Sequence, residues 1–485
     1  SVTGSRRPDF HNLDAGEGGA VDHSHTDDEE SLGSIRAEEA ALISNRVVVK
    51  GEAGSGKTTL LQSLAVRAAS ADFKGPMAAW NNLVPFFVPL RSLVAGELPR
   101  PESLPGIIAP SIAAMMPSDW VHHQLRSGRG LLLVDGLDEV SEERREETKI
   151  WIADIAAHFP DTRILMTSRP SAIPGDWLEN LQFAEVELLP MSPDDVSMFI
   201  EHWHFAVSRE EIDEDESNSV LELASPLRER IRSDRSLREL AATPLLCAML
   251  CAMNRDRKEV LPSNRIALYE AATQLVLHGR DVQRKVRIEG LPDLDFETKR
   301  DLIQSVALWM MENGWSMVEV WRIEDHLQGQ MAKYPRIPSG VDASILRSGI
   351  LRSPIVDKCD FIHNAFKEYL CARAISDEDK FGFLVDSLSR SEAWREVAPM
   401  AAAITDDRRR SEFIREILKR GDLHKNRRSM YYLLAVRCLE TCTKMEPELQ
   451  TEIHDRIQKL RPPSSITEAK ALSAAGDLAI DLVRK

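Results

Sequence analysis

The chain has no uninterrupted apolar run of the roughly 18 residues that a membrane-crossing helix needs, so no span is expected. Its start, Ser1-Val2-Thr3-Gly4-Ser5-Arg6-Arg7, has no apolar centre and does not read as a secretory signal. It also lacks an initiator Met and reads as an artificial boundary, a processed form or an excerpt of a longer protein. Cysteine is sparse: Cys247, Cys251, Cys359, Cys371, Cys438 and Cys442. Two pairs are spaced i,i+4 on expected helices, and no Cys/His quartet has zinc spacing. Buried, reduced thiols in a cytoplasmic protein are the expectation. Positive charge is in deficit, 61 Lys and Arg against 77 Asp and Glu. The formal net charge of −16 argues against a general nucleic-acid or anionic-membrane binder.

What is present is an ordinary globular composition, 43% hydrophobic and 28% charged, over 485 residues, a length that allows two to four domains. Its most informative stretch is Gly51-Glu52-Ala53-Gly54-Ser55-Gly56-Lys57-Thr58, which fits G-x-x-x-x-G-K-[ST]. An apolar β-branched run, Val47-Val48-Val49, precedes it, and the helical stretch Thr59-Leu60-Leu61-Gln62-Ser63-Leu64-Ala65 follows. Glycines let backbone N–H groups turn inward around a phosphate without a Cβ in the way. The following helix aims the positive end of its dipole at the same anion. Lys57 is then expected on the β- and γ-phosphates, and Thr58 on Mg²⁺.

Such a loop needs an acidic partner. Gly130-Leu131-Leu132-Leu133-Val134 reads as a buried parallel strand and ends in Asp135-Gly136-Leu137-Asp138-Glu139. Ligands of open α/β sheets bind at the carboxyl ends of the strands, which makes Asp135 the candidate direct or outer partner of Mg²⁺. Asp138 and Glu139, on the next turn, are candidates to orient an attacking water. Both acids also suit the solvated first turn of a helix. A third strand, Arg163-Ile164-Leu165-Met166-Thr167, runs into Ser168-Arg169-Pro170 and offers Arg169 as positive charge for phosphoryl transfer. No Asn-Lys-x-Asp loop for guanine selection is present, so adenine nucleotides are preferred over guanine ones.

Together, the 51–61 segment, Leu131-Leu132-Leu133-Val134-Asp135-Gly136-Leu137-Asp138-Glu139-Val140 and Thr167-Ser168-Arg169-Pro170 resemble the NACHT class of STAND NTPases. Ala242-Thr243-Pro244-Leu245-Leu246-Cys247 is similar to the family's Asn/Thr-Pro-Leu-Leu segment. The resemblance implies that Pro244 packs near the adenine. Ser348-Gly349-Ile350-Leu351 and Phe361-Ile362-His363-Asn364-Ala365-Phe366-Lys367-Glu368-Tyr369-Leu370 resemble its winged-helix ending, which implies His363 on the β-phosphate of bound ADP. Without the resemblance, His363 reads as a half-buried core histidine. Lys367 stands where Gln is common, a change expected to be tolerated at the surface. The resemblance spans about residues 40–380 and takes in animal NOD-like receptors and bacterial antiphage proteins.

The expected architecture is an α/β P-loop NTPase, a parallel sheet with flanking helices, followed by a helical domain, a winged helix and a C-terminal helical repeat-like region. Residues 1–33 read as a flexible acidic tail in which His23-Ser24-His25 is solvated rather than metal-binding. The nucleotide domain is expected over 34–200, a small helical domain over 201–290, the winged helix over 291–377 and the beginning of HEAT-like repeats over 378–485. The acidic run Glu210–Glu216 reads as a solvated linker.

The nucleotide-contacting set is thus Gly51, Glu52, Ala53, Gly54, Ser55, Gly56, Lys57, Thr58, Thr59, Pro244 and His363. The metal partners are Thr58 and Asp135, and the hydrolytic residues are Asp138, Glu139 and Arg169. The resemblance implies a switch that holds ADP when off and forms homo-oligomers with ATP–Mg²⁺ when a trigger, expected to be a protein, is sensed. Sensor and effector are expected outside these residues. An AAA+-like ATPase that remodels or loads a macromolecule uses the same phosphate chemistry and is the alternative.

Overall fold

Alternation along three central strands sorts the α/β core into two faces. A computed structural model describes residues 2–5, 36–52, 54–93, 98–140, 142–169, 181–211, 213–257, 261–279, 295–331, 350–355, 357–441, 446–458 and 460. Strand β1 is Val2–Ser5, β2 Arg46–Lys50, β3 Val84–Pro89, β4 Gly130–Asp135, β5 Arg163–Ser168 and β6 Ala184–Leu188. Val48, Leu132, Val134, Ile164 and Met166 face one cluster, where helix Glu142–His158 contributes Ile152 and Ile155. Val47, Val49, Leu131, Leu133 and Leu165 face the other, where helix α1, Lys57–Ala69, contributes Leu61 and Leu64, joined by Phe73 and Trp80. Because both faces are covered, β4 reads as a continuous apolar run and all six of its residues are buried.

The sheet order is β1-β6-β2-β5-β4-β3, with every pairing parallel except that of β1. Expected as part of a flexible tail, Val2–Ser5 instead forms an edge strand antiparallel to β6. Edge pairing is made by backbone groups and needs no apolar side chains, so composition does not reveal it. Residues 6–33 of the expected tail lie outside the described residues. The stretch 104–126 holds three short helices, Leu104–Ile108, Pro110–Ala113 and Trp120–Arg126. Pro110 opens one of these short helices, where its missing N–H costs nothing.

Two compact units make up the chain: Ser1–Ser197 with Ala242–Leu245, and Met198–Ala241 with Leu246–Lys485. Residues 242–245, expected within the helical domain, belong to the α/β unit. They are tied there by Met191 N–H to the Ala242 carbonyl (2.8 Å) and Leu245 N–H to the Gly54 carbonyl (3.3 Å).

In the second unit, helix Glu214–Glu222 begins inside the expected acidic linker. Asp213 accepts from the Asp215 N–H, and Glu214, Asp215 and Glu216 occupy the first turn, where the helix dipole favours acids. Helix Phe296–Glu312 packs on helix Asn364–Asp377, and a three-stranded antiparallel sheet, ordered β7-β9-β8, lies between them in sequence: β7 Met317–Glu319, β8 Leu351–Ile355, β9 Lys358–Phe361. Lys367 is not a surface residue: it is 5% exposed, and its Nζ donates to the Trp315 carbonyl at 3.1 Å. A lysine's long stem packs among apolar neighbours while its charged end finds a carbonyl.

Beyond Asp377 the described residues form helices Phe381–Ser387, Glu392–Ile404, Asp407–Leu423, Arg428–Glu440 and Pro447–Gln458. The stretch 471–480 lies outside the described residues. Cys247, Cys251, Cys359, Cys371 and Cys438 are free and buried. Among the described residues, no single helix is long and apolar enough to cross a membrane.

Candidate nucleotide site

The loop between β2 and α1 is shaped by two left-handed glycines. Gly54 has φ +80° and Gly56 φ +92°, and Gly56 is the N-cap of α1. L-residues with a Cβ resist this backbone. A Cβ on Gly54 would also come within 3.1 Å of the Leu245 side chain, and one on Gly51 within 2.6 Å of Ser55 Oγ. The N–H groups of Lys57, Thr58 and Thr59 precede the first helical bond, from Leu60 N–H to the Gly56 carbonyl, so they form the open positive end of the helix. Ser55 Oγ is buried without a hydrogen-bond partner among the described residues. This cradle fits a phosphate chain. Ala53 lies outside the described residues, and Thr59 is exposed on the helix.

Lys57 Nζ folds over its own loop and donates to the carbonyls of Gly51 (2.6 Å) and Glu52 (2.9 Å). Burial pulls its pKa below the ordinary lysine value, and the carboxylate of Asp138 pushes back. A desolvated cation whose hydrogen bonds go to neutral carbonyls gains from the added counter-charge of an incoming phosphate.

Across the strand ends, Thr58 Oγ1 donates to Asp135 at 2.9 Å, and Thr167 Oγ1 donates to Asp135 Oδ1 at 2.6 Å. Thr167 Oγ1 also accepts from Gly136 N–H at 2.8 Å and so locks the turn that follows β4. Burial raises the Asp135 pKa, while the bonds from Thr167 and Thr58 and the charge of Arg91 pull it down. A buried carboxylate beside a helix N-terminal threonine hydroxyl is a hard-oxygen set that suits Mg²⁺. Thr58 and Asp135 are the residues that would hold it, and the ion would supply charge neutralisation on phosphate oxygens.

Asp138, expected to orient water, clamps Arg169 instead. Its Oδ1 accepts from the Arg169 N–H (3.2 Å) and its Oδ2 from Nε (2.9 Å), with the two side chains 7% and 8% exposed. Arg169 is thereby held at the end of β5, next to β2 in the sheet. Glu139 closes the 3₁₀ turn Leu137–Glu139, and its carboxyl lies against Gly136, 3.0 Å from where a Cβ would stand.

Thr243, Pro244 and Leu245 lie on the loop: a Cβ on Gly54 would be 3.3 Å from Thr243 Cγ2, and one on Gly56 would be 3.8 Å from Pro244 Cγ. Pro244 therefore stands beside the site. His363 belongs to the second unit, where its Nδ1 accepts the Ala365 N–H at 3.1 Å and caps helix Asn364–Asp377. Sequence reasoning missed the contacts of Thr243 and Leu245 with Gly54, and it missed Arg91. Only the adjacency of Arg91 to the end of β3 could have pointed to it.

One family-model match agrees with this site. Residues 45–206 match the family model of the NACHT domain. No curated protein is significantly similar to the chain. Among solved structures, a Signal Transduction ATPase with Numerous Domains with a tetratricopeptide repeat sensor, from Pyrococcus horikoshii, aligns at 14% identity and a TM-score of 0.34. That alignment covers 94% of this chain and 65% of the archaeal protein, so this chain spans under two thirds of it. Cdc6p from Pyrobaculum aerophilum aligns at 13% identity, covering 69% of this chain and 88% of that one, with a TM-score of 0.28. The Aeropyrum pernix ORC1 protein, solved in complex with DNA, aligns at 15% identity over 71% and 91%, with a TM-score of 0.26.

Proposed function

Taking residues 45–206 as a NACHT domain, a P-loop NTPase module, we propose that this chain is a nucleotide-controlled signalling switch. It holds ADP in its inactive state, exchanges it for ATP–Mg²⁺ and assembles with copies of itself when a trigger is sensed. The observation that carries this reading is the convergence of Lys57, Thr58, Asp135 and Asp138-held Arg169 at adjacent strand ends. Lys57 and the α1 N–H groups bind the phosphates. Thr58 and Asp135 hold the metal, Arg169 faces developing charge and Glu139 accepts a proton from water. Hydrolysis is slow, because a switch needs dwell time more than turnover.

Switching requires that the two nucleotides bind the two states unequally. The contact of Thr243–Leu245 with the loop supports a route by which loop occupancy reaches helix Pro244–Arg257. Helix Phe296–Glu312, the three-stranded sheet and helix Asn364–Asp377 support a winged-helix reading, with His363 as the ADP β-phosphate contact in the closed state. The helices after Asp377 are read as the start of HEAT-like repeats. Sensor and effector lie outside these residues, the protein is cytoplasmic, and the setting is innate immune or antiphage defence. Nucleotide released from the purified, heat-denatured protein tests the reading. Near-stoichiometric ADP is expected; no bound nucleotide with rapid steady-state ATP turnover would favour an AAA+-like remodeller instead.

A further inference from the structure

The carboxylate assigned to the metal is bracketed by two arginines at matching positions. On one side β4 pairs with β3, and Asp135 is level with Pro89. On the other it pairs with β5, where Val134 is level with Met166, so the next step brings Asp135 level with Thr167. Arg91 lies two residues beyond Pro89, and Arg169 lies two residues beyond Thr167. Parallel strands end at the same edge of a sheet, so both arginines follow their strands at the rim where an α/β sheet takes its ligand. Arg91 sits on the 3₁₀ turn Leu90–Leu93, next to the Leu137–Glu139 turn that carries Asp138 and Glu139.

We propose that Arg91 is a second γ-phosphate-contacting cation of this site, adding affinity for a triphosphate that a diphosphate does not gain. The proposal rests on the nucleotide reading above and deepens it. The loop that grips the phosphate chain leaves β2, and the sheet runs β2-β5-β4-β3 away from it. A diphosphate is satisfied near β2 by Lys57 and the α1 N–H groups. A third phosphate extends the anion toward β4 and β3, where Arg169 and Arg91 flank its path. Asp135 takes its hydrogen bonds from Thr58 and Thr167, so its carboxylate does not require a guanidinium for its own satisfaction. Arg91 is half-buried, where an arginine–phosphate bond is stronger than at a free surface.

Isothermal titration separates the possibilities. Parent, Arg91→Gln and Arg91→Lys are titrated with ADP and with adenylyl imidodiphosphate, each in Mg²⁺ and in EDTA. Arg91→Gln is expected to weaken the triphosphate analogue by roughly 10- to 100-fold, in both conditions, with ADP within about twofold of the parent. Arg91→Lys recovers part of the loss, because it keeps the charge and loses the fork. Equal weakening of both nucleotides overturns the proposal, and so does a loss confined to Mg²⁺, which would mean that Arg91 acts only through Asp135 and the metal. If Arg91→Gln does not fold, the lysine variant decides: weaker analogue with intact ADP supports the contact, and unchanged affinities overturn it. A parent that binds neither nucleotide overturns the nucleotide site itself, a distinguishable failure.

Discussion

Buried charge means different things in the two units. In the α/β unit the sheet core is apolar, and the buried charged residues Asp135 and Arg169 gather, with Thr167 and Ser168, at the carboxyl ends of neighbouring strands. In the helical unit, Lys299, Asp360, Lys367, Glu368 and Arg410 are as deeply buried but are spread over four elements, with only Lys367 and Glu368 sharing a helix. Their bonds are architectural: Arg352 pairs with Asp360 at 2.8 Å across β8–β9, and Arg410 Nε donates to the Ala402 carbonyl at 2.7 Å. Desolvating a charge is costly anywhere and is tolerated where partners are fixed. Convergence on one strand edge, rather than burial alone, marks the site.

Lys57→Ala breaks the comparison most severely on the α/β side. It removes the ammonium that an incoming phosphate neutralises, and nucleotide affinity is expected to fall by roughly 100-fold or more. Titration calorimetry that finds ADP and ATP bound as tightly as in the parent would remove the phosphate-site assignment. Glu139→Gln comes next. It preserves shape and removes a proton acceptor, so single-turnover hydrolysis should slow by about 10²-fold while ATP binding stays within about twofold. An unchanged hydrolysis rate would move the base elsewhere, and not to Asp138, whose carboxylate is engaged by Arg169.

Lys367→Ala sharpens the comparison from the helical side. It leaves a cavity and an unpaired Trp315 carbonyl, at a cost of about 2–3 kcal/mol in urea unfolding. ADP affinity should stay within about twofold. A Lys367 variant of normal stability that loses ADP would show that buried charge in the helices also serves the nucleotide.

The same contrast explains what the sequence disclosed. The phosphate loop and Asp135 are legible because their chemistry is local: glycine backbone, a helix start, an acid after an apolar strand. The strands β2, β4 and β5 follow from their apolar runs. Three features depend on neighbours far along the chain and are not legible. Asp138 reads as a free acid until β5 brings Arg169 beside it. Lys367 reads as a surface residue until the Trp315 carbonyl appears. Val2–Ser5 has the composition of a tail, yet β6 offers it an unpaired edge. Similarly, Arg91 follows a strand whose apolar pattern says nothing about which carboxylate ends the next one.

The smallest expected effect isolates Asp135 itself. Its carboxyl is 3% exposed and its folded pKa lies above the ordinary 3.8, chiefly because burial disfavours the charge. A raised folded pKa means that the folded state keeps a proton the unfolded chain has released. The stability this contributes is complete below the unfolded value and is lost as pH rises through the folded one. Without metal, the thermal midpoint should therefore carry a downward slope from about pH 4 upward, through the shifted titration of this group. Mg²⁺ binds the ionised form, so its stabilising effect should grow as pH rises. Asp135→Asn removes the charge and keeps an oxygen to accept from Thr58 or Thr167. In EDTA at neutral pH it should be more stable than the parent by about 1 kcal/mol, or ~2–4 °C, with the slope flattened and the Mg²⁺ response gone. A variant that melts below the parent in EDTA and keeps the parent's Mg²⁺ response would show that the carboxylate serves packing, and the strand-edge criterion would then fail at its central residue.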